Sequence, residues 1–277
     1  MSFDDLPLAR TPAPRGMSPQ PAPEGGSPTR WVVVAALALA AGSGLTYWWL
    51  TRAQPDQVPP GPTIATEGAV TSNRPKRQPW ELPALDGSDG IFRDAVAVLS
   101  KHPVLTRLMA TDGLIRAAVL SVVQIGEGRT PALPLRVLRP STRLAIVGAD
   151  QGPVDPATYA RWNGATGALA SVAPADAAQL YVNVKDLFDG AYAELGHPDG
   201  NFDEAITLAI QVLLATPQPP APPELLRRPE YFEHVDAALR SLRPVQKQLL
   251  LAGPDNQQRI LVWLRQLARA LDLTINQ

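Results

Sequence analysis

The chain has 277 residues, carries 25 Lys and Arg against 26 Asp and Glu, and contains no cysteine. A net charge of −1 excludes a protein built for broad electrostatic capture of nucleic acid, which needs a basic surplus. The missing thiols exclude disulfide scaffolds, Cys-ligated zinc, iron–sulfur clusters and cysteine nucleophiles.

Proline divides the chain: 30 residues is about twice the usual share of roughly 5%, and they are unevenly placed. Residues 1–30 hold seven of them among Gly and Ser, with few large apolar side chains. Such a segment cannot bury enough surface to offset its ordering entropy, which predicts a disordered tail. The composition then reverses. Trp31–Leu50, WVVVAALALAAGSGLTYWWL, is a run of 20 residues without a charge. As a helix it would span about 30 Å, the thickness of a bilayer's hydrocarbon core. Arg30 and Arg52 bracket it, and Trp31, Tyr47, Trp48 and Trp49 sit at its ends as interfacial belts would. A cleaved signal peptide is the rival, because Ala38-Leu39-Ala40 has cleavage spacing. A signal core of about 7–15 residues, however, is shorter than this run. The reading is a single uncleaved transmembrane anchor. Arg10, Arg15 and Arg30 on the N-terminal side against Arg52 alone on the other place the N-terminus in the cytoplasm and the bulk of the chain outside.

Residues 51–80 hold six more prolines and no apolar periodicity, which predicts a linker. Its end, RPKRQPW at 74–80, is a local basic cluster read as a solvated linker end, the alternative being contact with anionic headgroups. From residue 81 to 277 the chain reads as one globular domain with 18 Lys and Arg against 21 Asp and Glu, a net charge of −3.

Most of that domain has helical period. Ser88–Leu99 places Phe92, Val96 and Leu99 on one face behind a cap from Asp86 or Ser88. Thr111 or Asp112 is expected to cap the next helix, with Leu114, Ile115, Ala118, Val119, Val122 and Val123 as its stripe and Gly126 as its stop. Asp155 and Pro156 precede a short helix carrying Arg161, expected to pair with Asp150 or Asp155. Pro174 opens a longer helix with Leu180, Val184, Leu187, Phe188, Ala191 and Leu195 inward, ending at Gly196 and Pro198. Asn201 with Glu204 caps a helix using Phe202, Ile206, Ile210, Leu213 and Leu214. Pro244 and Pro254 stand at first helical positions, with Gly253 between. The last helix buries Ile260, Trp263, Leu264, Leu267 and Leu271 and turns Arg259, Arg265 and Arg269 outward. The exception is Leu133–Gly148, where PLRVL and RLAIV flank Arg139-Pro140-Ser141-Thr142 and predict a hairpin. The expected fold is therefore mainly α, a helical globular domain with a short β-hairpin, preceded by a single transmembrane helix.

Motifs that carry chemistry are scarce. AGSG at 41–44 lies in the apolar run, a phosphate-binding loop is absent, and Gly126-Glu127-Gly128 does not join a strand to a helix. His102, His197 and His234 are far apart, and Glu194-Leu195-Gly196-His197 is a lone Glu-x-x-His broken by Gly196 and Pro198. Asp150–Asp155 lacks the acid ladder of a calcium loop. The carboxylate pairs Asp86 with Asp89 and Asp150 with Asp155 read as caps and turn-formers. Asp86-Gly87-Ser88-Asp89, Tyr159-Ala160-Arg161 and Gly253-Pro254-Asp255-Asn256 are the conspicuous polar groups, and they are given structural roles. No catalytic, cofactor-binding or metal residue is assigned.

LPALDGSDGIFRDAV at 82–96, DGLIRAAV at 112–119, PLRVLRP at 134–140, DPATYARW at 155–162, YVNVKDLFDGAYAELGHPDGNF at 181–202, LLATP at 213–217 and QKQLLLAGPDNQQRI at 246–260 follow one another in order. Together they resemble the bacterial family catalogued as domain of unknown function 3014, over nearly all of residues 80–272. The chain departs from the pattern at VVQIGEG, 122–128, where an Asp-Asn-Leu-like phrase is expected, and at Trp162, where Tyr is expected. The resemblance implies a membrane-anchored envelope protein of Gram-negative-type bacteria and no activity. The expectation is an inner-membrane, single-pass protein with a periplasmic C-terminal domain. It would act as a non-enzymatic binding or scaffold module for an envelope protein or cell-wall component, without nucleic acid or cofactor. The alternative is an enzyme of unrecognised type acting on an envelope substrate through carboxylates around Asp150–Asp155 or Glu194–Asp199.

Overall fold

The computed structural model describes residues 72–276. The expected tail, the run Trp31–Leu50 and residues 51–71 of the expected linker lie outside the described residues. Among the described residues no single helix is long and apolar enough to cross a membrane.

The architecture is mainly helical with a small antiparallel sheet. In chain order the helices are α1 (Asp89–Leu99), α2 (Pro103–Met109), α3 (Leu114–Gly126), α4 (Asn163–Ala170), α5 (Pro174–Glu194), α6 (Phe202–Leu214), α7 (Ala237–Ser241), α8 (Pro244–Leu250) and α9 (Pro254–Ala270). The core forms where α3 packs on α6 and α5, and α9 closes over α5 and α4. Spacings of three and four produce it: α3 buries Leu114, Ile115, Ala118, Val119, Val122 and Ile125, and α6 buries Phe202, Ile206, Ile210 and Leu213. Each of these side chains larger than Ala118 contributes about 1.5–3 kcal/mol on burial. Phe188 stacks on Phe202 with ring centroids 5.4 Å apart and meets Tyr181 edge-on at 5.5 Å. The long helix α5 is broken at Val184, whose φ of −108° and ψ of 15° leave the helical range.

Pro103, Pro174, Pro244 and Pro254 each stand at a helix start, where a missing N–H costs nothing and the fixed φ suits the first turn. Gly253 enters α9 at φ 90°, and any Cβ there would lie 2.5 Å from the Tyr159 ring.

Several expectations are corrected. The first helix is capped differently. Ser88 Oγ donates to Leu85 O at 2.7 Å rather than accepting from the helix, and Asp86 points to Arg116. Neither Thr111 nor Asp112 caps α3. Asp89 does so from another helix, accepting the N–H groups of Gly113 and Leu114 at 2.6 and 2.8 Å.

The hairpin is elsewhere. Leu135 and Leu138, three apart, both face the core, so PLRVL winds into a 3-10 turn at Arg136–Leu138. Of RLAIV only Ile146 pairs, in a single bridge to Val154. The sheet is built from β1 (Gln151–Pro153), β2 (Glu224–Arg227) and β3 (Phe232–His234), in the order β1-β2-β3, and β2 and β3 form the hairpin. Gly152 is held so near Val147 O that a Cβ could not fit.

The linker is also shorter than expected. Residues 72–80 lie against the domain, with Trp80 and Leu82 packed on the main core, so RPKRQPW is a docked strap and not a solvated end.

Candidate binding groove

The strap meets three helices. Ser72 Oγ donates to Asp272 at 2.7 Å. Arg74 donates to Leu271 O at the end of α9 and pairs with Asp203 of α6 at 2.9 Å. Arg77 donates to both oxygens of Asp186 on α5, at 2.9 and 2.5 Å. This fork raises the Arg77 pKa and holds the Asp186 carboxyl below its ordinary range, through the hydrogen bonds first and despite desolvation. The Gln78 N–H reaches Asn183 Oδ1 at 2.9 Å, and Gln179 Nε2 reaches Lys76 O at 3.0 Å. Asp203 also accepts the Tyr181 hydroxyl at 2.5 Å, and burial is the main cause of that phenol's raised pKa.

From the strap the chain passes through the 3-10 turn Leu85–Gly87 to a site walled by α3 and α5. Arg116 of α3 is its hub. Its Nε and Nη2 donate to the two oxygens of Glu194 at 2.5 and 2.8 Å, and Nη2 pairs with Asp86 at 2.8 Å. The hydrogen bonds from Arg116 lower the Glu194 pKa, and both carboxylates raise that of Arg116.

On one side of Arg116 is a polar recess of about 280 Å³ bordered by Asp86, Ser88, Asp89, Asp112 and Gly113. Its carboxylates Asp86 and Asp89 are engaged by Arg116 and by the start of α3. On the other side is an apolar groove of about 340 Å³, walled by Ala117 and Leu120 of α3, Leu133 and Pro134, and Ala191 and Leu195 at the end of α5. Leu133 is 82% exposed and Leu195 43% exposed. The inward position expected for Leu195 is thus corrected: the helix ends one residue earlier, and the side chain borders the groove.

The other singled-out residues are dispersed. Asp155 caps the 3-10 helix Pro156–Trp162 by accepting the Ala157 N–H at 2.9 Å. Arg161 pairs with neither Asp150 nor Asp155. Its Nε and Nη2 are buried without a partner, and desolvation lowers its pKa to about 10. Its guanidinium lies 5.8 Å from the Trp162 ring centroid, a cation–π contact that offsets part of that cost. Asn256 of Gly253-Pro254-Asp255-Asn256 ties α9 to Tyr159 O and Asn163 Oδ1, a structural role. His102 caps α2 through Nδ1. His197 stacks on Tyr192, with centroids 4.3 Å apart. His234 is buried beside Lys247, and burial followed by that charge lowers its pKa to about 4. Among the described residues no group of three or more His, Asp or Glu stands at metal-binding geometry.

Sequence reasoning did not find the groove, because its signal is negative. Leu133 opens the segment expected to form a hairpin, and Leu195 closes a helical stripe expected to face inward. No curated protein and no solved structure matches the chain. The family match begins at the first residue of α3 and ends within α9, so it contains both walls of the groove. The chain belongs to the family described as protein of unknown function (DUF3014), which matches residues 114–268.

Proposed function

We propose that the protein is a membrane-anchored bacterial envelope protein whose helical domain is a non-enzymatic binding module, and that the α3/α5 groove takes a polypeptide segment of another envelope protein. The observation that carries this reading is Leu133, which stands 82% exposed on the wall of an apolar groove. Leu120, Pro134 and Leu195 continue the apolar surface around it, and a contiguous apolar patch, unlike a singly exposed leucine, marks an interaction surface.

The chemistry of the groove favours protein over glycan. Its walls are aliphatic, from Leu120, Leu133, Pro134 and Leu195, and no aromatic ring lines it for a sugar face to stack on. At its end the Arg116–Glu194 pair offers both charge signs to a partner's backbone or polar rim. Three of the carboxylates that could serve acid–base chemistry carry structural bonds: Asp89 at α3, Asp155 at its own helix, and Glu194 at Arg116. Support for the anchor is the uncharged run Trp31–Leu50 with its aromatic ends, and export of the domain follows from the flanking arginines.

The test is site-specific photocrosslinking from position 133 in intact host cells, with position 98 as a control. Val98 is also exposed, at 63%, but lies on α1. A discrete protein adduct from 133 that is absent from 98 supports the reading. Equal diffuse labelling from both positions, or adducts with glycan alone, contradicts it.

A further inference from the structure

We infer that the strap Ser72–Trp80 is a releasable splint across the break in α5, and that its seating sets the shape of the groove at that helix's far end. The inference rests on the groove being a binding site and supplies its regulation.

A break in a long helix needs a cause, and here the strap bonds to both sides of it. On the N-terminal half, Asn183 Oδ1 accepts the Gln78 N–H at 2.9 Å and the Gln179 amide at 2.9 Å, while Gln179 also holds Lys76 O. Asn183 is 1% exposed, so the strap supplies a backbone donor that water does not. On the C-terminal half, Asp186 takes the Arg77 fork. The strap thus spans the hinge and fixes the angle between the two halves.

The C-terminal half carries Ala191, Glu194 and Leu195, which form one wall of the groove. Leu195 lies 11 residues beyond Val184, about 16 Å along a helix, so a change of about 10° at the break displaces it by about 3 Å. The opposite wall, Ala117 and Leu120, sits on α3, which packs on α6 as well as on α5 and is tied to the end of α5 by the Arg116–Glu194 fork. Opening the strap therefore works the α5 wall against that fork at the groove's end.

The two halves of the strap differ in strength. Arg74–Asp203 is the more buried pair, with side chains 27% and 15% exposed, whereas Arg77–Asp186 is 47% and 61% exposed. The exposed pair is the one that bridges the hinge, so the strap can lift at the splint while Arg74 holds.

The test uses the full chain, whose lack of cysteine allows clean double labelling. Spin labels on Gly190→Cys, where a Cβ meets nothing within 4 Å, and on the exposed Arg265→Cys report the distance between the C-terminal half of α5 and α9. Trypsin cleavage after Lys76 and Arg77 reports strap opening. Asp186→Asn is expected to accelerate cleavage about fivefold, as loss of a surface pair allows. Position 190 lies about 9 Å along the helix from Val184, so the same change of about 10° should shift or broaden the 190–265 distance by about 1.6 Å. Arg77→Lys, which keeps the charge and the cleavage site but loses the fork, should fall between. Faster cleavage with an unchanged 190–265 distance, in either variant, overturns the inference, as does a strap no more open in Asp186→Asn than in the parent chain. Photocrosslinking from position 133 separates the two claims. If crosslinking from the groove fails while Asp186→Asn still moves the label, the binding reading falls and the splint stands.

Discussion

The carboxylate of Asp89, at the start of α1, caps α3 by accepting the N–H groups of Leu114 at 2.8 Å and Gly113 at 2.6 Å. A helix start leaves such donors free, and a carboxylate there also meets the positive end of the helix dipole. The bond joins two helices whose sequences lie 25 residues apart. Asp89→Ala is therefore expected to lower stability by about 1–2 kcal/mol, seen as a Tm drop of roughly 2–8 °C in a thermal scan. Asp112→Ala, whose side chain is not the cap, should leave Tm within a degree or two of the parent.

Ser88 is 1% exposed and donates to Leu85 O. Ser88→Ala removes that bond, leaving Leu85 O with the Ser88 N–H at 3.2 Å, and should cost about 1 kcal/mol. Any loss of cellular rescue should scale with the loss of stability. A variant with parental Tm and no rescue would transfer Ser88 from structure to binding.

A chain beginning at residue 81 should be markedly less stable than one beginning at residue 72. It loses Trp80 from the core and leaves Asp203, 15% exposed, without Arg74. Hydrogen bonds to charged groups contribute about 1.5–3 kcal/mol, so urea midpoints of the two chains should differ clearly. Equal midpoints would mean that the strap adds nothing.

His234 gives the domain a pH dependence of known sign. Its folded pKa of about 4 lies below the ordinary value of 6.5, because burial and Lys247 disfavour the imidazolium. The unfolded chain binds the proton first, so the contribution is complete above about pH 6.5. It falls away as the pH drops toward 4, by up to roughly 3 kcal/mol. His234→Phe should flatten this slope in denaturant titrations between pH 7 and 4. An imidazole that titrates near 6.5 by NMR in the folded protein would refute the assignment.

Much of the helical architecture is legible in the sequence, because apolar residues at spacings of three and four and prolines at helix starts are local signals. The stripes of α3, α6 and α9 and the starts Pro174, Pro244 and Pro254 are all found. Long-range relations are not local and were missed. Asp89 caps a helix other than its own, and Arg77 finds Asp186 at a separation of 109 residues. The hairpin was misplaced because Leu135 and Leu138 fit a strand-like run while tertiary contact winds them into a turn. The true strands Glu224–Arg227 and Phe232–His234 are three or four residues long, too short for alternation to announce. The groove was illegible for a different reason, since its leucines look like core until their exposure is seen.

Export is testable separately from binding. A reporter fused after Gln277 that is active only outside the cytoplasm should be active in the full chain and silent when residues 31–50 are deleted. Activity of a cytoplasm-only reporter at the same position would reverse the topology.

The central claim is that the α3/α5 groove, and not a catalytic centre, carries the cellular role. The most direct measurement pairs Tm with rescue of a null strain for Leu133→Glu combined with Leu195→Glu. Both side chains are exposed, so each substitution should change stability by no more than about 0.5 kcal/mol. A groove that binds the partner gives a parental Tm with rescue abolished. A parental Tm with full rescue would contradict it.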